Sequence, residues 1–206
     1  MVRKTKEEAR RTRKQIVDAA RAVFHRNGVS RSTLEQIARE AGVTRGAVYW
    51  HFKDKAELFA AMREDVFDPM RERLDSILFA EDYADPLDAV EASLMELFRV
   101  LEDCPDLRQV FEIMVLRCEY VGEFAGVRAE ANRPALDFLE KMKAAYHKAD
   151  ARGTLRAGLD PETLALDTWA FVNGLLHVLL GHDFERQFQS RVRPMISAHM
   201  ALRRPE

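Results

Sequence analysis

The chain has 206 residues, of which 47% are hydrophobic and 32% are charged, and its formal net charge is −2. This length and apolar content are enough to bury a core, so the composition excludes a disordered or fibrous chain. No apolar run approaches the roughly 18 residues of a membrane span, and the charged first fifteen residues do not resemble a signal peptide, so we expect a cytoplasmic protein without a membrane segment.

Charge is distributed unevenly along the chain. Residues 1–55 contain 14 Lys and Arg against 6 Asp and Glu, a balance of +8, whereas residues 56–206 contain 18 against 28, a balance of −10. An excess of positive charge at one end suits a phosphate-rich partner. We therefore divide the chain into a basic head, residues 1–55, and a larger body, residues 56–206.

The first three predicted helices form the head. Apolar residues at helical spacing predict a first helix over residues 7–27. Ser32 or Thr33 can then cap a short helix, because each is followed three residues later by Glu or Gln. Gly42 supplies the left-handed backbone position of a sharp turn before the next short helix. Two short helices joined in this way predict a helix-turn-helix.

The second short helix, capped by Thr44, is basic and aromatic. At 100° per residue, Val48 and Phe52 fall about 40° apart and form an inner edge, while Tyr49 and Trp50 point the other way. Large aromatic side chains on an exposed short helix indicate a surface that meets a polar, anionic partner. Duplex DNA fits that description.

We expect this helix and its neighbours to bind DNA. Arg45 can donate two hydrogen bonds to a guanine in the major groove, and Ala47 and Tyr49 can contact a thymine methyl. Tyr49, His51 and Lys55 can reach phosphates, and Lys55 starts the next helix, where backbone amides also favour a phosphate. The predicted DNA-binding set is Ser32, Thr33, Thr44, Arg45, Gly46, Ala47, Tyr49, Trp50, His51 and Lys55.

The same segment closely resembles the TetR family of bacterial repressors. In this chain the family signature stands as Ile37-Ala38, Ala41-Gly42-Val43, Tyr49-Trp50-His51-Phe52 and Lys53-Asp54-Lys55. Residues 3–6, 44–46 and 117–124 resemble more narrowly the AcrR-like regulators of multidrug efflux pumps. The resemblance implies a homodimer that represses an efflux operon and responds to a hydrophobic small molecule.

The rest of the chain shows helix signals and almost no strand alternation. We predict an all-α fold of about nine helices, with a three-helix helix-turn-helix head and a larger helical body. Pro69 is expected to bend a long fourth helix. Asp85-Pro86 and Asp160-Pro161 open helices, because Asp can cap and Pro tolerates the first helical position. Further helices are predicted over residues 106–120, 123–152, 161–181 and 184–202.

The last two predicted helices are apolar on more than one face. One small core cannot cover all their apolar side chains, so a second chain would cover the excess. Packing this helix pair against its copy gives a four-helix interface and a homodimer. Two recognition helices roughly 34–36 Å apart would then meet successive major grooves of a palindromic operator. The predicted interface residues are Trp169, Val172, Leu176, Leu179, Met195 and His199.

The sequence supports two hypotheses for the body. The body is either a sensor whose pocket binds a hydrophobic small molecule and releases DNA, or only the dimerisation scaffold of a constitutive DNA-binding protein. Flexible and aromatic side chains suit an adaptable pocket, and four polar residues interrupt the apolar helix faces. The predicted ligand-binding set is Met95, Phe98, Phe111, Met114, Arg117, Glu119, Phe138, Met142, Trp169, Asn173 and His177.

The sequence contains no catalytic motif that we recognise. It lacks a Gly-rich phosphate loop, a His-Glu-x-x-His motif and a Gly-x-Ser-x-Gly motif, so we do not expect an enzyme. His177 and His182 are five residues apart, with Asp183 adjacent, which is a poor spacing for one helical face, so we expect neither a metal nor a cofactor. Cys104 and Cys118 have no zinc or disulfide spacing, and we expect reduced, buried thiols.

Overall fold

A computed structural model of the chain describes residues 2–181 and 185–205, with side chains in these ranges except at residues 2–5, 123 and 185–187. The described residues form nine α-helices, one short 3₁₀ helix and no strand, which confirms the predicted all-α fold. The α-helices are α1 Val2–Asn27, α2 Leu34–Glu40, α3 Arg45–His51, α4 Lys55–Leu78, α5 Pro86–Asp103, α6 Pro105–Leu116, α7 Val127–Ala151, α8 Pro161–Leu180 and α9 Glu185–Ala201.

The two capped starts predicted in the body are present. Asp85 caps α5 by accepting a 2.9 Å hydrogen bond from the amide of Leu87. Asp160 caps α8 by accepting a 2.8 Å hydrogen bond from the amide of Thr163. In both helices a Pro follows the cap, at a position whose amide would have no helical partner.

The connection between α6 and α7 differs from the predicted one. We expected α6 to continue to Tyr120, but it ends at Leu116, and α7 begins at Val127, four residues after the predicted start. The carbonyl of Arg117 accepts a 3.0 Å hydrogen bond from the amide of Val29. Tyr120 has a φ of 43°, a left-handed conformation that does not continue a helix. A long-range hydrogen bond and a backbone reversal therefore define this connection, and neither is evident in the local sequence.

The chain divides into two compact packing units. The first contains Met1–Asp68 and Asp106–Ala131, and the second contains Pro69–Pro105 and Asn132–Glu206. Helices α4 and α7 each contribute residues to both units. The division predicted at residue 55 concerns what each part of the chain binds, and it stays a prediction.

An aromatic cluster lies in the core of the first unit. The rings of Phe24 and Phe59 meet edge to face with their centres 6.1 Å apart, and Phe59 meets Phe124 in the same way at 5.6 Å. Burial of each ring contributes about 1.5–3 kcal/mol. Helices α2 and α3 have seven residues each, too few to be stable alone, so they depend on packing against this core.

Helices α5, α8 and α9 pack together in the second unit. The predicted inner face of α5 is buried, with Leu94 and Phe98 at its middle. Beyond the end of α9, Arg204 forms ion pairs with Asp85 and Asp88 at the start of α5. These contacts attach the carboxyl-terminal residues to α5.

Helix α8 is apolar but only partly buried. By length and composition it could cross a membrane, a criterion that core helices of other proteins also meet, and only 33% of its most apolar stretch is buried. Leu166, Ala170, Gly174 and Val178 are exposed and lie four residues apart, so they form one outward stripe. The sequence predicted apolar side chains on more than one face of this helix, and its own chain covers only one of those faces.

Candidate DNA interface and effector residues

Threonine side chains define the start of both helices of the helix-turn-helix. The Thr33 hydroxyl accepts a 3.2 Å hydrogen bond from the amide of Gln36, whose side-chain oxygen accepts a 2.9 Å bond from the amide of Thr33. This is the predicted capping box, and Thr33 is the residue that forms it. The Thr44 hydroxyl accepts a 3.1 Å bond from the amide of Ala47. A cap of this kind contributes about 1 kcal/mol, which matters for such short helices.

The turn between α2 and α3 favours glycine because of its backbone conformation. Lack of space for a side chain is not the reason. Gly42 has a φ of 67°, in the left-handed region, and a Cβ built on it would meet no atom within 4 Å. The next amide, of Val43, donates a 3.0 Å hydrogen bond to the carbonyl of Ala38 and closes the turn. A larger residue at this position would fit but would be strained.

Helix α3 has the two faces predicted from its sequence. Val48 and Phe52 are buried, whereas Tyr49 is 47% exposed and Trp50 is 72% exposed. The Trp50 ring meets the ring of His51 edge to face with the centres 4.4 Å apart. An aromatic, polar-tipped surface is thus presented outward on a helix held by its opposite edge.

Arg45 is held by two side chains on the outer surface of α2 and α3. Its guanidinium forms an ion pair with Glu35 and lies 3.4 Å from the hydroxyl of Tyr49. The carbon of the guanidinium lies 5.3 Å from the centre of the Tyr49 ring. The hydrogen bond to Tyr49, followed by the charge of Glu35, raises the pKa of Arg45. The arginine is therefore positioned on the exposed surface, with a carboxylate that would compete with a base for it.

His51 ends α3 beside a basic residue of α1. Partial burial, and then the charge of Arg13, lower the pKa of His51. The Arg13 guanidinium lies 5.2 Å from the ring centre of Phe52, the residue after α3. The surroundings of His51 therefore favour its neutral form in the protein without DNA.

Two residues of the predicted DNA-binding set lie inside the first unit. Ser32 is buried, and its hydroxyl donates a 2.7 Å hydrogen bond to the carbonyl of Gly28, after α1. Lys55 is 8% exposed, and its ammonium donates a 3.0 Å bond to the carbonyl of Ser32 and lies 5.4 Å from the centre of the Phe124 ring. Both side chains are engaged within the chain in the absence of DNA, and their contact with DNA stays a prediction.

The other eight residues lie together on the segment that runs from the start of α2 to the end of α3. Ala47 and His51 are partly exposed. Contact between these residues and DNA stays a prediction. The exposed members are Thr33, Thr44, Arg45, Gly46, Tyr49 and Trp50.

The predicted ligand-binding residues are divided between the two units. In the second unit, Phe98 and Met142 are fully buried, and Met95, Phe138 and Trp169 are partly exposed. Asn173 and His177 also belong to the second unit. Those in the first unit are Phe111, Met114, Arg117 and Glu119.

Three of the four polar candidates face solvent. Glu119, Asn173 and His177 are exposed, and the side-chain amide of Asn173 donates a 2.8 Å hydrogen bond to the carbonyl of Trp169 one turn earlier. They do not point into the core, and their part in ligand binding stays a prediction. Arg117 is partly buried, and its Nε has no hydrogen-bond partner among the described residues.

A buried polar network in the second unit was missed by the sequence analysis. The Thr168 hydroxyl lies 2.7 Å from the hydroxyl of Tyr146 and 3.1 Å from Nε2 of His199. Arg203 donates a 3.3 Å hydrogen bond to the same hydroxyl and forms an ion pair with Asp167. Burial, and then the charge of Arg203, lower the pKa of His199 to about 4. The network therefore joins α7, α8, α9 and the segment after α9 through a neutral histidine.

The signal of this network in the sequence was a polar residue at helical spacing with apolar ones, Thr168 with Ala165 and Val172 on one helix and His199 with Val192 and Ile196 on the next. His199 was assigned to a dimer interface because of its position on the last helix. Its ring instead stacks on Phe171 with the centres 3.9 Å apart and the planes 6° from parallel. Spacing along a helix could not show that Thr168 and His199 meet.

The predicted dimer-interface residues include both buried and partly exposed side chains. Val172 and Leu179 are buried within one chain, so they cannot line an interface while this packing is kept, and we correct their assignment. Trp169, Leu176 and Met195 are partly exposed. The outward apolar surface is the α8 stripe of Leu166, Ala170, Gly174 and Val178.

Metal binding and thiol chemistry find little support in the described part of the chain. No group of three His, Cys, Asp or Glu side chains there is arranged to hold a metal ion. Of the three residues weighed as ligands, His177 is exposed, and His182 and Asp183 lie outside the described residues. Cys104 and Cys118 are free and partly buried, and burial raises the pKa of the Cys118 thiol, which lowers its reactivity.

Comparisons with known proteins agree with the helix-turn-helix. Residues 16–62 match the family described as bacterial regulatory proteins, tetR family. The chain is 39% identical over 176 residues to the HTH-type transcriptional regulator TtgR of Pseudomonas putida, a match that covers 85% of this chain and 83% of that protein.

Two solved structures extend the similarity over nearly the whole chain. NalD, the secondary repressor of the MexAB-OprM multidrug efflux pump in Pseudomonas aeruginosa, has a TM-score of 0.85 at 31% identity and covers 95% of this chain and 98% of its own. SmeT, the repressor of the Stenotrophomonas maltophilia multidrug efflux pump SmeDEF, was solved in complex with triclosan. That complex has a TM-score of 0.79 at 33% identity, covering 94% of this chain and 91% of its own.

The chain belongs to the TetR family of bacterial regulatory proteins. It is a DNA-binding transcriptional regulator, and the relatives named above are transcriptional regulators, of which NalD and SmeT repress multidrug efflux pumps.

Proposed function

We propose that the protein acts in the cytoplasm as a homodimer that represses an efflux operon by binding a palindromic operator, and that a hydrophobic small molecule releases it. The observation that carries the DNA-binding part is the outer face of α3, where Tyr49 and Trp50 are exposed and the Arg45 guanidinium lies over the Tyr49 ring. Aromatic rings and a bidentate donor on an exposed helix suit base edges and phosphates. No catalytic role is included in the proposal.

The proposed dimer uses the outward stripe of α8. Leu166, Ala170, Gly174 and Val178 are apolar or small, so a second copy of the helix can approach closely and remove them from water. Packing of α8 and α9 against their copies would make a four-helix interface with two-fold symmetry. Two copies of α3 would then read two half-sites roughly 34–36 Å apart on one side of the duplex.

The proposed inducer site lies among apolar residues of the second unit. Met95, Phe138 and Trp169 are the candidates that are neither fully buried nor fully exposed, so they can contact a ligand without leaving the core. The triclosan complex of SmeT supports an apolar, aromatic compound as inducer. Induction requires that the ligand bind the DNA-incompetent arrangement more tightly, so operator DNA must weaken ligand binding by the same factor. Helix α4, which contributes residues to both units, is the proposed route of this coupling.

The test is a tryptophan-quenching titration with aromatic efflux substrates. The chain has two tryptophans, so a Trp50→Phe background leaves Trp169 as the reporter. We expect ligand affinity to fall when operator DNA is added and to be unaffected by a scrambled duplex of equal length. Equal affinity with and without operator would contradict the allosteric mechanism. A broad screen with no ligand would favour the alternative, in which the body is only a dimerisation scaffold.

A further inference from the structure

The amino-terminal half of α1 is a helix without a core. Among the α1 residues whose side chains the structure describes, residues 6–27, the first buried one is Ile16, so roughly 15 Å of helix, residues 6–15, precedes the packed part. Between residues 6 and 15 only Ala9 and Thr12 are even partly shielded. Burial against this chain therefore does not explain why the segment is helical or which residues it contains.

Three basic residues of this segment share one face. Lys6, Arg10 and Arg13 are spaced by four and then three residues, so their side chains project within roughly 60° of one another. All three are exposed, and none forms an ion pair with a carboxylate of the described residues. Lys14, by contrast, pairs with Asp18 at 3.3 Å. The shared face thus carries positive charge that no carboxylate of the described residues neutralises.

Arg13 fixes the direction of this face relative to α3. Its guanidinium lies 5.2 Å from the ring centre of Phe52, and it is close enough to His51 to act on that imidazole. Lys6 and Arg10 continue the same face toward the amino terminus over roughly 10 Å. The basic face therefore begins beside the carboxyl end of the recognition helix and extends away from it.

We infer that Lys6, Arg10 and Arg13 form a second DNA-contacting surface, which binds backbone phosphates that flank the base pairs read by α3. This inference rests on the proposed operator binding and adds to it a surface outside the helix-turn-helix. A cation that forms no ion pair within the protein does not have to break one when it binds a phosphate. Each phosphate contact also releases counterions from the duplex, which favours binding. The neighbouring Glu7 and Glu8 project from other sides of the helix, so they do not oppose the contact.

Sequence readout is not expected from this surface. Lysine and arginine contacts to phosphate set affinity, register and salt dependence, whereas base edges carry the sequence information. The basic face should therefore strengthen operator and non-operator binding by similar factors. This separates its contribution from that of Arg45 on α3.

The test compares two double variants that remove the same charge. Lys6→Gln with Arg10→Gln removes two cations of the proposed surface, and Arg11→Gln with Lys148→Gln removes two exposed cations elsewhere, one on another side of α1 and one on α7. Operator affinity is measured by fluorescence anisotropy from about 50 to about 200 mM salt. In a dimer the first variant removes up to four phosphate-binding cations, so the slope of log K against log salt should fall by up to about 3.6. The control should keep the parent slope.

Phosphate ethylation interference then locates the contacts. The parent should show interfering phosphates outside the base pairs read by α3, and the Lys6→Gln/Arg10→Gln variant should lack them. An unchanged slope and pattern would overturn the inference while leaving operator binding by α3 intact. An equal loss of slope in the control would also overturn it, because net charge alone would explain the effect.

Failure of the parent protein to bind any operator would instead refute the proposed function. Both altered positions are exposed, so the melting temperature should match that of the parent. If the variant is less stable, Lys6→Arg with Arg10→Lys keeps the charge and should restore the parent slope. A charge-keeping variant that still lost the slope would assign the effect to folding and overturn the inference.

Discussion

The outer faces of α3 and α8 both expose apolar side chains, but their neighbours differ. On α3, Trp50 is exposed, and Tyr49 is exposed with the guanidinium of Arg45 5.3 Å from its ring centre. On α8, Leu166 and Val178 are exposed in line with Ala170 and Gly174, and none of these four side chains is charged. A face that mixes aromatic rings with cations suits phosphates and base edges, whereas an uncharged face of leucine and small residues suits close packing against another helix. Exposure alone therefore does not identify the partner, and the charge beside the exposed apolar groups does.

A charged substitution on the buried face of α8 should have the largest effect, on the free energy of unfolding. Leu179→Asp would place a carboxylate in the core of the chain, where Leu179 is 1% exposed, and should lower the free energy of unfolding by about 3–5 kcal/mol. Urea denaturation followed by circular dichroism measures this loss. Parent-like stability in the variant would show that Leu179 does not belong to the core and would restore it as an interface candidate.

The outer side of the same helix should affect assembly and not folding. Ala170→Glu would bring like charges together across the two-fold axis, so we expect folded monomers whose operator affinity falls by roughly 100-fold or more through lost avidity. Light scattering and circular dichroism read assembly and folding separately. Ala144→Glu, at an exposed position of α7, is the matched control and should remain a dimer. Dimeric Ala170→Glu would rule out the α8 stripe as the interface.

On α3 the expected effect is on specificity. Arg45→Ala should remove about 1–3 kcal/mol of discrimination at one base position in each half-site, whereas Tyr49→Ala should weaken binding to all sequences alike. Glu35→Gln leaves Arg45 in place but removes its ion-pair partner, so it should keep the base preference. Binding to operators with single-base changes measures these outcomes. An unaltered preference in Arg45→Ala would mean that α3 reads DNA in another way.

The polar network behind α8 should make stability depend on pH. The pKa of His199 is lowered from 6.5 to about 4 in the folded chain. Above about pH 6.5 the imidazole is mainly neutral in both the folded and the unfolded chain, so the network makes its full contribution to stability there. As the pH falls toward 4 the unfolded chain takes up the proton first, and about 1–3 kcal/mol of stability should be lost. We measure the free energy of unfolding of the parent and of His199→Gln between pH 7 and 4. The variant should lose about 1–3 kcal/mol less over this range, because it has no histidine to protonate at this position. Equal pH dependence in the two proteins would contradict the shifted pKa.

The smallest expected effect is that of substituting Lys55. It tests whether the ammonium stays bound inside the chain or contacts DNA. Lys55→Met removes the donor to the carbonyl of Ser32 and should lower stability by about 1 kcal/mol. Because the ammonium faces inward, the salt dependence of operator binding should not change. A fall in the slope of about 0.9 for each phosphate that the variant no longer binds would show that Lys55 leaves its internal bond to bind DNA.

Local rules predicted those features that depend on residues close in the sequence. The capping box of Thr33, the reversal at Gly42 and the cap at Asp85 were all expected, and each involves hydrogen bonds or dihedral angles within a few residues. The inner edge of α3 was also predicted, because Val48 and Phe52 share one helical face. The position and faces of the candidate DNA interface could therefore be derived without tertiary information.

Local rules did not predict whether individual polar side chains are buried or exposed. Lys55 and Ser32 are both polar residues within a DNA-binding motif, yet the chain buries them against each other. Asn173 and His177 interrupt an apolar segment, yet they lie on its exposed side. A helical pattern specifies which residues share a face but not which of several apolar faces turns inward.

The sequence by itself determined the all-α fold, the helix-turn-helix and its outward aromatic face, because caps, turns and helical periodicity are short-range properties of the chain. Only the tertiary structure decided that α6 ends beside Val29, that Leu179 points inward, and that Thr168 meets His199. Each of these depends on contacts between segments distant in the sequence. Such contacts are set by the packing of whole helices, which no local pattern encodes.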